Sequence, residues 1–123
     1  MARIKYFNAN PDGERVSDCV TRAISVSCKI PYSKVRKMLY HTAQLLGCEK
    51  LCVMCYKFLI EDVLKCKRVN CDGMFPDDFA NLHPQGTYLL RMNGHICCCI
   101  DGVIIDSFDS RFMDFLTDAW KIV

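Results

Sequence analysis

The chain has 123 residues, of which 51% are hydrophobic and 24% are charged, and its formal net charge is +2. This size and composition predict one globular domain spanning residues 1–123, because a polypeptide of this length buries a core and is short for two domains. No apolar run approaches the roughly 20 residues that cross a bilayer, and the N-terminal residues lack the apolar core of a secretory signal. We therefore expect neither membrane insertion nor secretion.

The first part of the chain is predicted to be helical. Ser17 is a suitable N-cap for a first helix, and the carboxylate of Asp18 in its first turn favours the helix dipole. The apolar stripe of this helix consists of Cys19, Ala23, Ile24 and Val26. Pro31 is well placed near the start of a second helix, and Gly47 is well placed to end it as a C-cap.

Residues 51–65 are predicted to form much of a third helix, because apolar residues recur there at steps of three and four. The residues of this face are Cys48, Cys52, Cys55, Leu59 and Val63. The segment 75–82 is predicted to be a short helix, since Pro76 lies early in it and acidic residues follow in its first turn.

The last part of the chain is predicted to be an antiparallel meander. Its β-type runs are residues 87–92, 95–100 and 103–108. The dipeptides between them, Asn93-Gly94 and Asp101-Gly102, are typical of two-residue type I′ turns. The central run is apolar on both faces, so helices should cover at least one of them, and a final strand is expected over 120–123. The predicted fold class is therefore α+β, with N-terminal helices packed on the meander.

Ten cysteines are many for a protein without a secretory signal. In secreted proteins such a content indicates disulfides, but these cysteines lie in apolar segments, and the adjacent Cys97, Cys98 and Cys99 would alternate between the two faces of a strand. We predict that all but Cys19 are buried as small hydrophobic side chains in a protein of the reducing cytoplasm.

Charge is unevenly distributed along the sequence. Residues 1–70 contain 13 lysines and arginines against 6 aspartates and glutamates, whereas residues 71–123 contain 3 against 8. A basic half can indicate a nucleic-acid surface, but Lys34, Arg36 and Lys37 are spaced like the solvated side of a helix, without interleaved aromatic residues that would stack on bases. We expect the two halves to pack together, and we do not expect a nucleic-acid partner.

The hairpin register predicts which side chains meet in the meander. With Asp101-Gly102 as the turn, Cys97 lies opposite Asp106, and alternation along the strand places His95 on the same face, diagonal to Asp106. The same alternation places Asp109 on the other face. We therefore predict that the Asp106 carboxylate orients the His95 imidazole.

Cys19 would supply a nucleophile for this pair. It falls near the start of the first predicted helix, where the positive end of the helix dipole and unpaired N–H groups favour the thiolate. A thiolate beside an imidazolium combines a nucleophile with a proton donor. The predicted catalytic residues are therefore Cys19, His95 and Asp106.

Together these segments resemble the papain-like cysteine peptidase superfamily. The segments that carry the likeness are residues 17–24 (SDCVTRAI), Gly94-His95 and residues 103–107 (VIIDS). The nearest branch is the small bacteriocin-leader-processing type, with compact peptidase-like proteins of bacteriophages and mobile elements. The resemblance implies a papain-like fold in which Cys19 is the nucleophile, His95 the general acid and base, and Asp106 the orienting acid. It also implies a peptide or protein substrate, no cofactor or metal, and, for a phage-borne gene, the host cytoplasm.

The sequence departs from the superfamily pattern before the nucleophile. Six residues ahead of the cysteine, where the superfamily has a glutamine that helps to form the oxyanion hole, this sequence has Gly13. The backbone N–H of Cys19 could still serve the oxyanion, and Asn8 or Asn10 is a candidate for the side-chain donor.

Other cysteine motifs suggest a metal centre instead. Cys48, Cys52 and Cys55 have the spacing of the cluster-binding loop of radical-SAM enzymes. The same spacing also places three residues on one face of a helix. In addition, radical-SAM enzymes are barrel proteins that are much longer than this chain. A zinc site is the other metal alternative. Its ligands would be Cys52, Cys55, Cys66 and Cys71. We interpret His41 and His83 as surface or capping residues.

The sequence thus predicts a small cysteine hydrolase acting on peptide, isopeptide or related amide bonds through an acyl-enzyme. Two alternatives stay open. One is a non-catalytic protein-interaction module on a peptidase-like scaffold, to which Gly13 points, and the other is a zinc-binding module.

Overall fold

A computed structural model describes residues 1–11, 18–49 and 52–122 of the protein. Within these ranges lie four α-helices and one six-stranded sheet, a mixed α/β arrangement. The helices are α1 (Cys19–Cys28), α2 (Tyr32–Leu46), α3 (Val53–Phe58) and α4 (Pro76–Leu82). The strands are β1 (Arg3–Tyr6), β2 (Lys67–Arg68), β3 (Thr87–Met92), β4 (His95–Ile100), β5 (Val103–Asp106) and β6 (Asp118–Lys121). None of the described helices has the length and apolar character needed to cross a membrane.

The sheet has the strand order β1-β5-β4-β3-β6-β2. Neighbouring strands are antiparallel, except that β1 and β5 are parallel. The predicted meander therefore forms the centre of the sheet as β3, β4 and β5. The helices precede most of the sheet in the sequence, as expected for the α+β arrangement.

The two hairpin turns of the meander have the predicted length of two residues, because Met92 pairs with His95 and Ile100 pairs with Val103. Asp101 and Gly102 both adopt positive φ, 49° and 76°, as a type I′ turn requires. At the other turn only Gly94 does so, with φ 74°, and the type I′ prediction is wrong there.

Some strand bounds differ from the prediction. β5 ends at Asp106 rather than at residue 108, and at this end the Asp106 carboxylate accepts the backbone N–H of Ser107 at 2.7 Å. The last strand begins at Asp118 rather than at residue 120, and there Arg91 lies directly opposite Asp118 and binds its carboxylate at 3.0 Å. The edge strands β1 and β2 are short, and local sequence patterns do not predict them.

Helices cover both faces of the sheet. On one face α1 packs against β4, and α2 packs against α1 and α3. The largest fully buried side chains on this side are Ile24, Val35, Leu39, Leu59, Ile60, Leu89, Ile96 and Trp120. On the other face α4 packs against β5. The buried side chains there include Phe79, Leu90, Met92, Cys97, Cys99 and Ile104. Both apolar faces of β4 are thus buried, as its composition predicts.

The third predicted helix is shorter and less regular than expected. α3 ends at Phe58 and continues as a π-helical turn over Leu59–Val63. A π-helical turn holds more residues than an α-helical turn, so it rotates the following side chains around the axis. The side chain of Val63, predicted to be buried, is consequently 50% exposed.

All ten cysteines are free thiols. The buried ones are Cys55, Cys66, Cys71, Cys97, Cys98 and Cys99. Cys28, Cys48 and Cys52 were predicted to be buried, but they are only half-buried. Each of these three lies at or next to a helix end, where coverage by neighbouring elements is incomplete.

Candidate active site

Cys19 is the first residue of α1, and Asp18 occupies the N-cap position. The helix therefore begins one residue later than predicted, and the expected N-cap, Ser17, lies outside the described residues. Asp18 makes no side-chain capping hydrogen bond, so its carboxylate does not occupy the N–H groups of the first turn. Those N–H groups and the helix dipole favour negative charge on the half-buried Cys19 thiol.

His95 opens β4, and its Nε2 donates to Oδ2 of Asp106 at 2.6 Å. Both side chains are buried, which strengthens the hydrogen bond because water is excluded. The His95 ring also contacts the ring of Phe108, with the centroids 4.8 Å apart. The predicted pairing of His95 with Asp106 is therefore confirmed.

The side chains of Cys19 and His95 interact across the junction of α1 and β4. Burial raises the pKa of the Cys19 thiol, but hydrogen bonds from His95 and from the Ile96 backbone N–H, with the positive charges of His95 and Arg22, outweigh it and lower that pKa below 9.0. Because Nε2 of His95 is engaged by Asp106, Nδ1 is the ring nitrogen left to serve the thiol.

The His95 ring is correspondingly easier to protonate than a free imidazole. Burial lowers its pKa, but hydrogen bonds with Asp106 and Cys19 and the negative charges of both outweigh burial and raise the pKa to about 9. The opposite shifts of the two groups favour a thiolate–imidazolium pair near neutral pH.

Asp106 is held by more groups than the sequence indicates. The fully buried Ser110 hydroxyl donates to Oδ2 at 2.6 Å, and the Ser107 backbone N–H donates to Oδ1. Ser110 lies in the irregular segment after β5, where strand alternation has no predictive value, so sequence reasoning missed it. Asp109, by contrast, binds Arg111 at 2.8 Å and takes no part in the His95 pair, as predicted.

A second buried carboxylate, Asp18, lies directly beside the nucleophile. Its Oδ1 accepts the Arg22 guanidinium at 2.5 Å, and its Oδ2 accepts the Tyr32 hydroxyl. Burial and this hydrogen bond raise the pKa of Tyr32 to about 12, so the phenol stays neutral. Arg22 therefore brings a positive charge close to Cys19, and the Asp18 carboxylate that binds Arg22 is also held by the Tyr32 hydroxyl.

The candidate oxyanion donors belong to the same region. The Asn10 side-chain amide donates to Oδ2 of Asp18 at 3.2 Å, and Oδ1 of Asn8 accepts the Asn10 backbone N–H at 2.9 Å. Asn10 is thereby tied to the residue that precedes Cys19. Gly13 lies outside the described residues.

A groove of about 220 Å³ opens beside the Cys19–His95 pair. It lies between α1, α3 and the turn that joins β3 to β4. Its lining residues are Cys19, Val20, Val53, Tyr56, Arg91, Gly94, His95 and Ile96. The sequence analysis missed Tyr56 and Arg91, because their contribution depends on how α3 packs over the sheet.

The described residues do not form a set of ligands for either metal alternative, the iron–sulfur cluster or the zinc site. Among residues 1–11, 18–49 and 52–122, no three His, Cys, Asp or Glu side chains converge so that they could hold a metal ion. The four cysteines of the zinc alternative therefore do not form a site. His83 caps α4, since its Nδ1 lies 2.8 Å from the Phe79 carbonyl oxygen, and His41 is exposed. Both histidines thus have the surface or capping positions predicted for them.

No family model, curated protein or solved structure matches this sequence.

Proposed function

We propose that the protein is a small cysteine hydrolase of papain-like architecture that cleaves peptide, isopeptide or related amide bonds. The observation that carries the proposal is the continuous series of interactions from Cys19 through His95 to Asp106. A nucleophile at a helix N-terminus, a histidine that begins a strand and an aspartate on the neighbouring strand perform the same roles in papain-like peptidases.

In the proposed reaction the Cys19 thiolate attacks the substrate carbonyl carbon, and the carbonyl electron pair moves onto oxygen. The backbone N–H of Cys19, at the positive end of α1, stabilises the resulting oxyanion. The His95 imidazolium gives its proton to the leaving amine as the C–N bond breaks, which leaves a thioester on Cys19.

Water then enters as the second nucleophile. Neutral His95 takes a proton from the water as it attacks the thioester, and the Cys19 thiolate leaves with the C–S electron pair. The Asp106 carboxylate holds the ring through Nε2 during both steps, so that Nδ1 faces the reacting atoms. Ser110 and the Ser107 N–H keep that carboxylate in place.

The proposal is tested first by thiol reactivity. At about pH 6.5, where an ordinary thiol is protonated, iodoacetamide is expected to label Cys19, as located by peptide mapping, and Cys19→Ala should lose that label. The matched control is Cys28→Ala, because a hydrogen bond with Cys66 also lowers the pKa of Cys28, to about 7. Equal labelling of the wild-type and Cys19→Ala proteins would contradict the assignment.

Turnover needs a separate measurement. A diverse peptide mixture is incubated with the wild-type protein and with Cys19→Ala, and new termini are identified by mass spectrometry. Cleavage that depends on Cys19 supports the hydrolase. Selective labelling of Cys19 without any cleavage supports the non-catalytic interaction module instead.

A further inference from the structure

Arg91 places a guanidinium group in the wall of the groove beside Cys19 and His95. The same lining includes the apolar side chains of Val20 and Val53. Besides His95, Arg91 is the charged residue of this lining. A ligand that follows the groove away from the reactive thiol therefore meets apolar side chains and one permanent positive charge.

The Arg91 side chain is held in one orientation. Its Nε donates to the Tyr56 hydroxyl at 2.6 Å, and its Nη1 donates to Thr117 Oγ1 at 2.7 Å and to Asp118 Oδ2 at 3.0 Å. The third nitrogen of the Arg91 guanidinium, Nη2, takes part in none of these hydrogen bonds. In the described part of the protein every fully buried side-chain nitrogen and oxygen has a hydrogen-bond partner, so the unbonded Nη2 is not fully buried and keeps some access to solvent.

The charges around Arg91 do not cancel. The buried Asp118 carboxylate binds Lys57 and Arg68 as well as Arg91, and Arg68 also lies 3.5 Å from Glu61. Three cations thus share two carboxylates in this cluster. The excess is positive, and the member of the cluster that reaches the groove is the Arg91 guanidinium.

We propose that Arg91 is a specificity-determining residue that binds a carboxylate of the substrate. The inference rests on the proposed function, because it treats the groove as the substrate site of Cys19. The carboxylate belongs either to an aspartate or glutamate side chain or to the carboxyl terminus of a peptide, since both present the same planar pair of oxygens to a guanidinium donor. Tyr56 acts through Arg91 by fixing its Nε and is a positioning residue.

The test uses three bromoacetyl dipeptides that alkylate Cys19 by displacement of bromide. Bromoacetyl-Ala-Glu-amide carries a side-chain carboxylate, bromoacetyl-Ala-Gln with a free terminus carries a terminal carboxylate, and bromoacetyl-Ala-Gln-amide is neutral. Second-order rate constants at Cys19 are read by mass spectrometry. In the wild-type protein at least one anionic probe should react faster than the neutral probe, by on the order of 5-fold at low salt.

Two variants separate a local contact from general charge. Arg91→Met should abolish the preference for the anionic probe. Lys57→Met removes the same unit of charge from the same Asp118 cluster but leaves the groove lining intact, so it should keep the preference. Equal rates for all three probes in the wild-type protein, or equal loss of preference in the two variants, would overturn the inference. The probe that reacts faster identifies the source of the carboxylate.

The two proposals fail in different ways. Alkylation of Cys19 without any anion preference overturns the role of Arg91 and leaves the hydrolase proposal standing. If Cys19 is not the labelled residue, the hydrolase proposal fails, and the carboxylate site is then tested by binding. In that experiment N-acetyl-Ala-Glu-amide should shift the NMR signal of the Arg91 Nε–H group and N-acetyl-Ala-Gln-amide should not; equal shifts, or none, would reject the site.

Discussion

At the scale of single residues, Asp106 connects the backbone turn after β5 to the imidazole of His95. One of its oxygens accepts the His95 ring and the Ser110 hydroxyl, both at 2.6 Å, and the other accepts the Ser107 N–H. A carboxylate that is held from three sides cannot reorient without breaking other bonds. It therefore fixes both the tautomer and the direction of the histidine.

Asp106→Asn should lower hydrolysis by about 10²–10⁴-fold, because the amide removes the negative charge that stabilises the imidazolium. Asp109→Asn is the matched control, since Asp109 is bound by Arg111 at the surface and should matter little. The measurement is the rate of hydrolysis and of Cys19 alkylation in the two variants. Equal losses, or a larger loss at Asp109, would show that Asp106 does not orient the ring.

The pH dependence of Cys19 alkylation follows from the same contacts. The pKa of the Cys19 thiol is lowered and that of His95 is raised to about 9, so the thiolate–imidazolium pair exists at pH values between the thiol pKa and the His95 pKa. The rate of Cys19 alkylation should begin to increase at a lower pH than the rate for an ordinary thiol, and it should change a second time near the pKa of His95. In Asp106→Asn the pKa of His95 should fall, so the pH range in which the ion pair exists should become narrower. A profile for the wild-type protein that matches a free thiol would contradict this prediction.

At the scale of secondary-structure elements, Asp118 at the start of β6 joins several parts of the structure. Its side chain, 4% exposed, binds Lys57 of α3, Arg68 of β2 and Arg91 of β3. Burial raises its pKa, but the hydrogen bonds from Lys57 and Arg91 outweigh burial and lower it below 3.8. The Asp118 carboxylate thus connects α3 to β2 and β3.

Asp118→Asn should destabilise the protein by about 1–3 kcal/mol, because the largely buried Arg91 guanidinium would lose its counter-charge, whereas Lys57 and Arg68 are partly solvated. Asp72→Asn makes the same change of charge at an exposed position and should have little effect. Since the folded-state pKa of Asp118 is lowered, its contribution is present above about pH 4 and is lost as the pH falls through the folded-state value. Urea unfolding of both variants measures the difference, and similar losses would contradict the assigned role.

At the scale of the whole molecule, the sheet is buried between two groups of apolar side chains, and the cysteines are part of that packing. Cys97 and Cys99 belong to the group beneath α4, whereas Cys55 and Cys66 belong to the group beneath α1 and α2. Because these thiols fill space as free side chains, the packing does not depend on covalent links.

A reductant should therefore leave the melting temperature of the freshly purified protein unchanged. The check is thermal unfolding with and without a phosphine reductant, which lacks a thiol of its own, together with an intact mass that counts the free thiols. A melting temperature that falls by more than a few degrees on reduction would show that a disulfide contributes to stability.

Local periodicity and turn chemistry were sufficient to predict several features of this fold. Steps of three and four predicted α1 and α2, and two-residue turns predicted the β3–β5 meander. The alternation of strand residues then placed His95 and Asp106 on one face, because a two-residue turn leaves a single register. Gly47 was predicted as the C-cap of α2 and adopts the left-handed conformation with φ 69°.

Contacts between segments that are distant in the sequence could not be predicted from local patterns. No local pattern states that the start of α1 lies against the start of β4, which is what brings Cys19 to His95. The hydroxyl of Ser110 reaches Asp106 from an irregular segment, and Arg91 gains its place in the groove from Tyr56 on α3. Contacts between segments far apart in the sequence are set by the packing of the helices on the sheet as a whole, whereas strand register and helix faces are set by neighbours a few residues away.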